Sequence, residues 1–268
     1  MRLENSTKQL LIKKIKENET ITKICKDLNL NKSTVYYYIK KLRGRRFPET
    51  KIEDSNLENV GELIGVFSGD GYFFFDKKSY KYNTFFYFSK DEEEYVKRFI
   101  NLLNSIINRY IYVYKYKNVN KIFVRVTSKK LSELIKKYVT WNENQKRSYT
   151  IRLVKINFLS NDFLIGFLRG LFDSDGYTYK DKREIDFITV SPVLARQITK
   201  ILRKVLNIRP LIYVYKDQRE NRKKIFYVKI KQYDAEKFLM IIRPNNLKRY
   251  PKWFNRLESN KNSNRIEF

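Results

Sequence analysis

Two aspartates in this chain sit in matching surroundings. Asp70 stands in the run LIGVFSGDG, Leu63 to Gly71, and Asp175 in LRGLFDSDG, Leu168 to Gly176; each is followed by Gly and then Tyr, and the two stand 105 positions apart. The chain has no histidine and one cysteine, Cys25, so it offers neither an internal disulfide nor a zinc site of the usual kind. A catalytic metal must then be held by carboxylates, which selects a hard ion, Mg²⁺ or Mn²⁺. A single Asp-Gly after a helical run reads as a turn; the pair points to metal.

The elements that position these acids repeat with them. The run IYVYK occurs at Ile111 and again at Ile212, a shift of 101, and VRVT from Val124 matches VKIK from Val228 at a shift of 104. Three landmarks in the same order at nearly one shift mark a duplication. Each copy reads as a helix ending in the acidic run, two strands, a helix, two strands and a closing helix, that is, αββαββα. In the first copy strands are expected near Tyr72 to Asp76, Thr84 to Phe88, Ile111 to Lys115 and Ile122 to Val126, with helices from Asp91 and Lys129; in the second, strands begin near Tyr177, Ile185, Ile212 and Ile225, with helices from Pro192 and Asp234. Ser89 with Glu92 forms a capping box, and Ser191 before Pro192 caps the matching helix. Alternation puts Phe226, Val228 and Ile230 on one face and Tyr227, Lys229 and Lys231 on the other.

The two nine-residue runs resemble the LAGLIDADG motif, and with the αββαββα repeat the resemblance to the two-repeat LAGLIDADG homing endonucleases covers about Leu57 to Phe254. It implies an α+β fold in which the motif helices cross at a pseudo-twofold, with Gly65, Gly69, Gly170 and Ser174 small enough for close contact, beneath a β-saddle that takes a DNA duplex. It also implies a divalent ion, Mg²⁺ or Mn²⁺, held by Asp70 and Asp175 with Gly69 and Ser174 beside them, and hydrolysis of one phosphodiester on each strand, leaving a short 3′ overhang. Lys231 matches the family's lysine near the scissile phosphate, whereas its partner in the first copy is Thr127, so the basic support is one-sided. Ser89 and Ser191 stand where the family often orders water. Ser68 replaces the earlier acid that the second copy keeps as Asp173, an acid that in the family supports structure.

Composition agrees with a polyanionic partner: 57 Lys and Arg against 29 Asp and Glu leave a net charge of +28, accompanied by 21 Tyr and 19 Phe. On the open face of the strands, Arg125, Tyr227 and Lys229 are candidate DNA contacts. The expected partner is a long, asymmetric double-stranded DNA site. No apolar run is long enough to span a bilayer and no signal peptide begins the chain, so an intracellular, nucleoid-associated monomer is expected, with no membrane partner.

Residues 1–46 carry +9 of the net charge and a different pattern. Leu10, Leu11 and Ile15 share a helical face; Thr20 caps a second helix with Ile21, Ile24, Cys25 and Leu28; Asn29 tolerates left-handed geometry; and Asn31 opens a third helix with Val35, Ile39 and Leu42 inward. The stretch resembles the helix-turn-helix of resolvases and bacterial-type regulators. That resemblance implies base contacts from Ser33, Thr34, Tyr36 and Tyr37 and phosphate contacts from Lys32, Lys40, Lys41 and Arg43. The domain plan is a helix-turn-helix at 1–46, a linker at 47–56, repeats at 57–149 and 150–258, and a polar tail at 259–268. The competing readings are a LAGLIDADG-fold transcriptional regulator that does not cut, and a maturase that binds intron RNA.

Overall fold

A computed structural model describes the chain except residues 1–2, 18, 44–50, 117–118, 217–222, 252 and 255–268. The first part of the expected linker, residues 47–50, the polar tail and the side chain of Arg43 lie outside the described residues. The chain divides into two compact units, 1–50 and 51–268.

The first unit has three helices, α1 (Asn5–Lys16), α2 (Ile21–Asp27) and α3 (Lys32–Arg43). Leu11, Ile15, Ile24 and Val35 are buried together, and Cys25, Leu28 and Ile39 pack at the edge of this small core. The side chain of Thr20 accepts the Lys23 N–H at 3.4 Å, capping α2, and Asn29 takes a φ of 48°, the left-handed geometry its side chain tolerates. Two residues assigned to the inner stripe lie outside it: Leu10 is 50% exposed and Leu42 41%. Leu10 sits one position, about a quarter turn, from the Leu11–Ile15 line, and the core ends at Ile39, leaving the last turn of α3 with nothing to pack on.

The second unit is α+β and has the αββαββα pattern twice. The first copy runs α4 (Leu57–Asp70), β1 (Gly71–Asp76), β2 (Lys81–Phe88), α5 (Glu93–Ile106), β3 (Ile111–Lys115), β4 (Ile122–Thr127) and α6 (Lys129–Tyr138). A short link follows, with β5 (Val139–Thr140) pairing β6 (Arg152–Leu153) around α7 (Arg147–Thr150). The second copy is α8 (Asn161–Asp175), β7 (Gly176–Thr178), β8 (Glu184–Thr189), α9 (Pro192–Leu206), β9 (Leu211–Tyr215), β10 (Ile225–Lys231) and α10 (Gln232–Ile242). The two antiparallel sheets share one strand order, β1-β2-β4-β3 and β7-β8-β10-β9.

β2 begins three residues before the expected Thr84. Its ladder with β1 continues to the pair Asp76–Lys81, where the Asp76 carboxylate accepts the N–H groups of Lys78 and Ser79 at 2.9 and 3.3 Å and closes a tight turn. The Ser89 N–H donates to Glu92 at 2.9 Å in a capping box, so a 3₁₀ turn at Lys90–Glu92 precedes α5. Ser191 Oγ accepts the Leu194 N–H at 3.2 Å, with Pro192 opening α9. One face of each sheet packs on helices through residues such as Phe86, Val124, Phe187 and Val228, and a single apolar core runs through both copies. β3 and β9 are edge strands, so even the side expected to face inward keeps Val113, Ile212 and Val214 exposed.

Candidate functional site

The site is built where α4 and α8 cross. Gly61 and Gly65 on α4 lie against the backbone carbonyls of Phe163 and Phe167, and Gly166 and Gly170 on α8 against those of Glu58 and Glu62; a Cβ on any of the four would strike the opposite backbone. Gly61, Gly65 and Gly69 face Gly166, Gly170 and Ser174 at a spacing of four, the side-by-side row of a helix surface. The row extends one step beyond the nine-residue runs, and Gly61 and Gly166 were legible only as its continuation.

This contact brings the two acids together at the helix ends. A Cβ on Gly69 would lie 2.9 Å from Asp175 Oδ2, one residue from Asp70. Each helix then runs directly into a strand: Gly71 and Gly176 have φ of −83° and −73°, so neither Asp-Gly forms a left-handed turn. Burial, then the charges of Asp175 and Glu92, push the Asp70 carboxyl up to about 7, against the pull of Arg249 and Arg147. Burial pushes Asp175 up to about 6, again opposed by Arg249 and Arg147.

Those two arginines, which no sequence motif singled out, occupy equivalent places. Arg147, at the start of α7, donates from Nη1 to Phe67 O at 2.8 Å and Ser68 O at 3.4 Å and from Nη2 to Gly69 O at 3.3 Å, and lies 5.0 Å from the Phe67 ring. Arg249, in a 3₁₀ turn at Leu247–Arg249 after α10, donates from Nε to Asp173 O at 3.3 Å and from Nη2 to Ser174 O. Each caps the open carbonyls at the negative end of a motif helix. Burial lowers the Arg147 pKa to about 10, with Asp175 and Asp70 acting to hold its charge. The signal in the sequence is a Lys-Arg pair at 146–147 and again at 248–249, a shift of 102.

Asp173 and Ser68, at equivalent motif positions, are both structural. Asp173 accepts the N–H groups of Asn245 and Asn246, both at 2.9 Å, and holds the loop after α10; Ser68 Oγ donates to Ile64 O at 2.8 Å. Burial pushes Asp173 up to about 7, with the Asn246 N–H opposing. A second unanticipated group is Glu62, fully buried, which pairs with both terminal nitrogens of Arg98, with Arg169 at 3.5 Å and with Asn245 Nδ2 at 3.3 Å, tying the two copies together beside the seam.

Lys231 ends β10 on the open sheet face, 3.7 Å from Glu184 and over the Tyr213 ring. Thr127, at the same register in the first copy, donates to Asn83 at 2.8 Å. Ser89 and the buried Ser191 serve as helix caps, and Ser191 Oγ also donates to Ile151 O at 2.9 Å, so both are engaged in holding structure. Arg125 lies 4.7 Å from the Tyr112 ring and donates to the Tyr114 hydroxyl at 2.8 Å, within an open face of Tyr72, Phe85, Tyr87 and Phe123. Tyr227 shares the open face of the second sheet with Tyr213, its cross-strand partner. Lys229 is held by Tyr179 at 3.0 Å, Glu184 at 2.9 Å and Asp186 at 3.6 Å; burial works against its charge, yet the hydrogen bonds to Tyr179 and Glu184 win and raise its pKa. One sheet thus opens on rings around Arg125, the other on a balanced set of charges. In the first unit, Lys32, Ser33, Tyr36, Tyr37, Lys40 and Lys41 are exposed on α3 and Thr34 is half-buried.

The donor set suits a hard ion. Asp70 and Asp175 repel each other in a partly desolvated place, the condition that a divalent cation relieves. Among the described residues no group of three or more His, Cys, Asp or Glu comes together, so the two carboxylates would be completed by carbonyl, water or phosphate oxygens, as suits Mg²⁺.

Residues 162–250 match the family model of a LAGLIDADG-like domain. Over 200 residues, 70% of this chain, the sequence is 30% identical to the ATP-dependent DNA helicase Hel308 of Methanocaldococcus jannaschii, and the match spans only 14% of that protein's length. Among solved structures, the homing endonuclease I-DmoI in complex with DNA and Ca superposes with a TM-score of 0.50 at 19% identity over 70% of this chain and 91% of that one. I-DmoI with DNA and Mn gives 0.50 at 21% over 70% and 97%, and full-length DUF199/WhiA of Thermatoga maritima 0.51 at 18% over 78% and 62%. No helix among the described residues is long and apolar enough to cross a membrane. The chain carries a LAGLIDADG-like domain at 162–250 and, across its larger unit, the paired fold of the two-repeat LAGLIDADG proteins.

Proposed function

We propose that the chain is a site-specific, divalent-metal-dependent DNA endonuclease of the homing type. The observation that carries this reading is the meeting of Asp70 and Asp175 at the ends of two helices held in backbone contact, one acid from each copy. A hard divalent ion held there supplies Lewis-acid charge stabilisation and a water acidic enough to ionise near neutral pH. The chain's own residues fix the two carboxylates, with Gly69 and Ser174 beside them, and exclude bulk water from between the helices. The open sheet faces on either side, with Arg125 on one and Tyr227, Lys229 and Lys231 on the other, engage the two halves of an asymmetric duplex, and Lys231 supports a scissile phosphate in one half alone. A duplicated chain carries the contacts for both half-sites, so one copy suffices. In the first unit, Ser33, Thr34, Tyr36 and Tyr37 face base edges, and Lys32, Lys40, Lys41 and Arg43 the phosphates, adding affinity to the long site.

A non-cleaving DNA-binding regulator is favoured by one observation: guanidinium groups already cover the Gly69 and Ser174 carbonyls beside the acids. The two readings part in a selection from a random duplex library with Mg²⁺, run on the wild type and on Asp70→Asn and Asp175→Asn. An endonuclease returns cut ends that both variants lose while still retaining bound duplex; enrichment of bound, uncut sites by the wild type leaves the regulator.

A further inference from the structure

The arginines at the seam do more than close helix ends. Their placement obeys the duplication: both come from segments beyond the closing helix of a copy, and both reach the carbonyls at the sixth and seventh positions of that copy's motif, Ser68 and Gly69 for Arg147, Asp173 and Ser174 for Arg249. A helix C-terminus needs no charged cap, and main-chain N–H groups close others in this chain. Here two full positive charges face the acids of the seam, Asp70 and Asp175 with Glu92 beside them, so without any bound ion most of the acids' charge is already met. Neither arginine is free to leave. Arg147 is fixed by three carbonyls and the Phe67 ring, while Arg249 is fixed by two carbonyls and approaches Glu92 at 4.0 Å.

A divalent ion entering between Asp70 and Asp175 would therefore leave the seam with an excess of positive charge in a partly desolvated place. An incoming phosphodiester on each strand restores the balance. We propose that Arg147 and Arg249 are resident counter-ions of the acid pair, positioning residues that keep its divalent-cation affinity low until DNA phosphates enter, so that the metal is taken up together with the duplex. This rests on the metal-binding reading of Asp70 and Asp175. It gives the two arginines a role in both states: they offset the acids of the metal-free seam, and they face the phosphates once metal and duplex are bound.

The test is Mn²⁺ binding to the full chain, followed by electron paramagnetic resonance with and without a duplex of random sequence. Wild type is expected to bind Mn²⁺ weakly alone and more tightly with duplex. Arg147→Met and Arg249→Met should each tighten binding to the DNA-free chain by about tenfold, the order expected for removing one charge several ångströms from the ion at intermediate dielectric. Arg147→Lys, which keeps the charge and loses the fork, should stay within about threefold of wild type on the same grounds. Thermal unfolding with and without Mn²⁺ guards against a merely structural loss: the Met variants should recover in Mn²⁺ most of the stability they lose in EDTA. Methionine variants that fold and bind Mn²⁺ no more tightly than wild type overturn the proposal, as do variants at both positions that stay unfolded in Mn²⁺. Should Asp70→Asn with Asp175→Asn leave Mn²⁺ binding intact, the metal reading itself fails and this inference with it. An aspartate-dependent signal indifferent to the arginines sinks this inference alone.

Discussion

Gly69 and Asp175 meet across the seam between the two copies: the carboxylate Oδ2 lies 2.9 Å from the place a Cβ on Gly69 would take, with the Ser174 side chain closer still. A methyl group there cannot be absorbed by one flexible terminus, because the Ser174 Cβ is itself within 2.8 Å. Gly69→Ala is therefore expected to move Asp175 away from Asp70 and to cost about 1–3 kcal/mol, the usual penalty of overpacking. Urea denaturation measures the cost, and metal-dependent cleavage should fall further than stability does. Gly65→Ala, which meets the Phe167 carbonyl and the Leu171 nitrogen and not side chains, should be the more damaging of the two.

The acids at the seam make the metal-free protein less stable as pH rises. Asp70 and Asp175 have folded-state pKa values raised to about 7 and about 6 from 3.8. Over that window the folded chain holds more protons than the unfolded one, so this contribution to stability is present in full below about 4 and is lost as pH climbs through 6 to 7. In EDTA, Asp70→Asn with Asp175→Asn should flatten the decline in unfolding free energy between pH 5 and 8 and stabilise the protein at pH 8. Asp173, raised to about 7 by burial, keeps its own share of the slope in that variant. A double variant with the wild-type slope would show that burial does not raise the two acids in this way.

The duplication explains why so much of the fold was readable from residues. Asp70 and Asp175, the repeated IYVYK and the serine caps are local signals, and local signals survive in sequence. What escaped depends on partners distant in the chain. Glu62 is an acid in the middle of an apolar helix, and only its meeting with Arg98 and Arg169 makes it tolerable. Arg147 and Arg249 sit in segments that read as loops, and their common role appears only when each is seen on a motif helix 80 and 75 residues earlier. Lys229 looked like a free cation by alternation, but its neighbours Glu184 and Asp186 lie on the adjacent strand β8, and cross-strand register decides how its charge is met. Leu42 kept helical spacing past the end of a core too small to receive it.

Glu62 gives a direct test of how the copies are held together. Its carboxylate is fully buried and balances Arg98 and Arg169, one cation from each copy. Glu62→Gln keeps the shape and removes the charge, leaving Arg98 facing a neutral amide while Arg169 keeps Glu58 at 2.6 Å. Breaking a buried pair in this way costs about 3–5 kcal/mol, and because Arg98 is partly exposed the expected loss is at the lower end, about 3 kcal/mol by urea denaturation. Replacing exposed Glu94, which pairs with Lys97 at the surface of α5, should change stability by less than about 0.5 kcal/mol. Equal effects would mean that the Glu62 cluster is incidental to holding the copies together.

The first unit can be tested without dividing the chain. Lys40 and Lys41 are exposed on the outer side of α3, beyond the turn that carries Ser33 and Tyr36. If each meets a phosphate, Lys40→Ala with Lys41→Ala should leave the fold intact, since neither side chain packs on the Leu11–Val35 core. Binding to duplex DNA should weaken, and the slope of log affinity against log salt should become shallower by about 2, close to one unit for each phosphate no longer neutralised by a lysine. Tyr36→Ala and Tyr37→Ala should leave that slope as it is and instead reduce the preference for the selected site over random duplex, because rings and hydroxyls read base edges and release no counterions. A double lysine variant with the wild-type slope and affinity would remove α3 from the interface, leaving the two sheets to account for all of the binding.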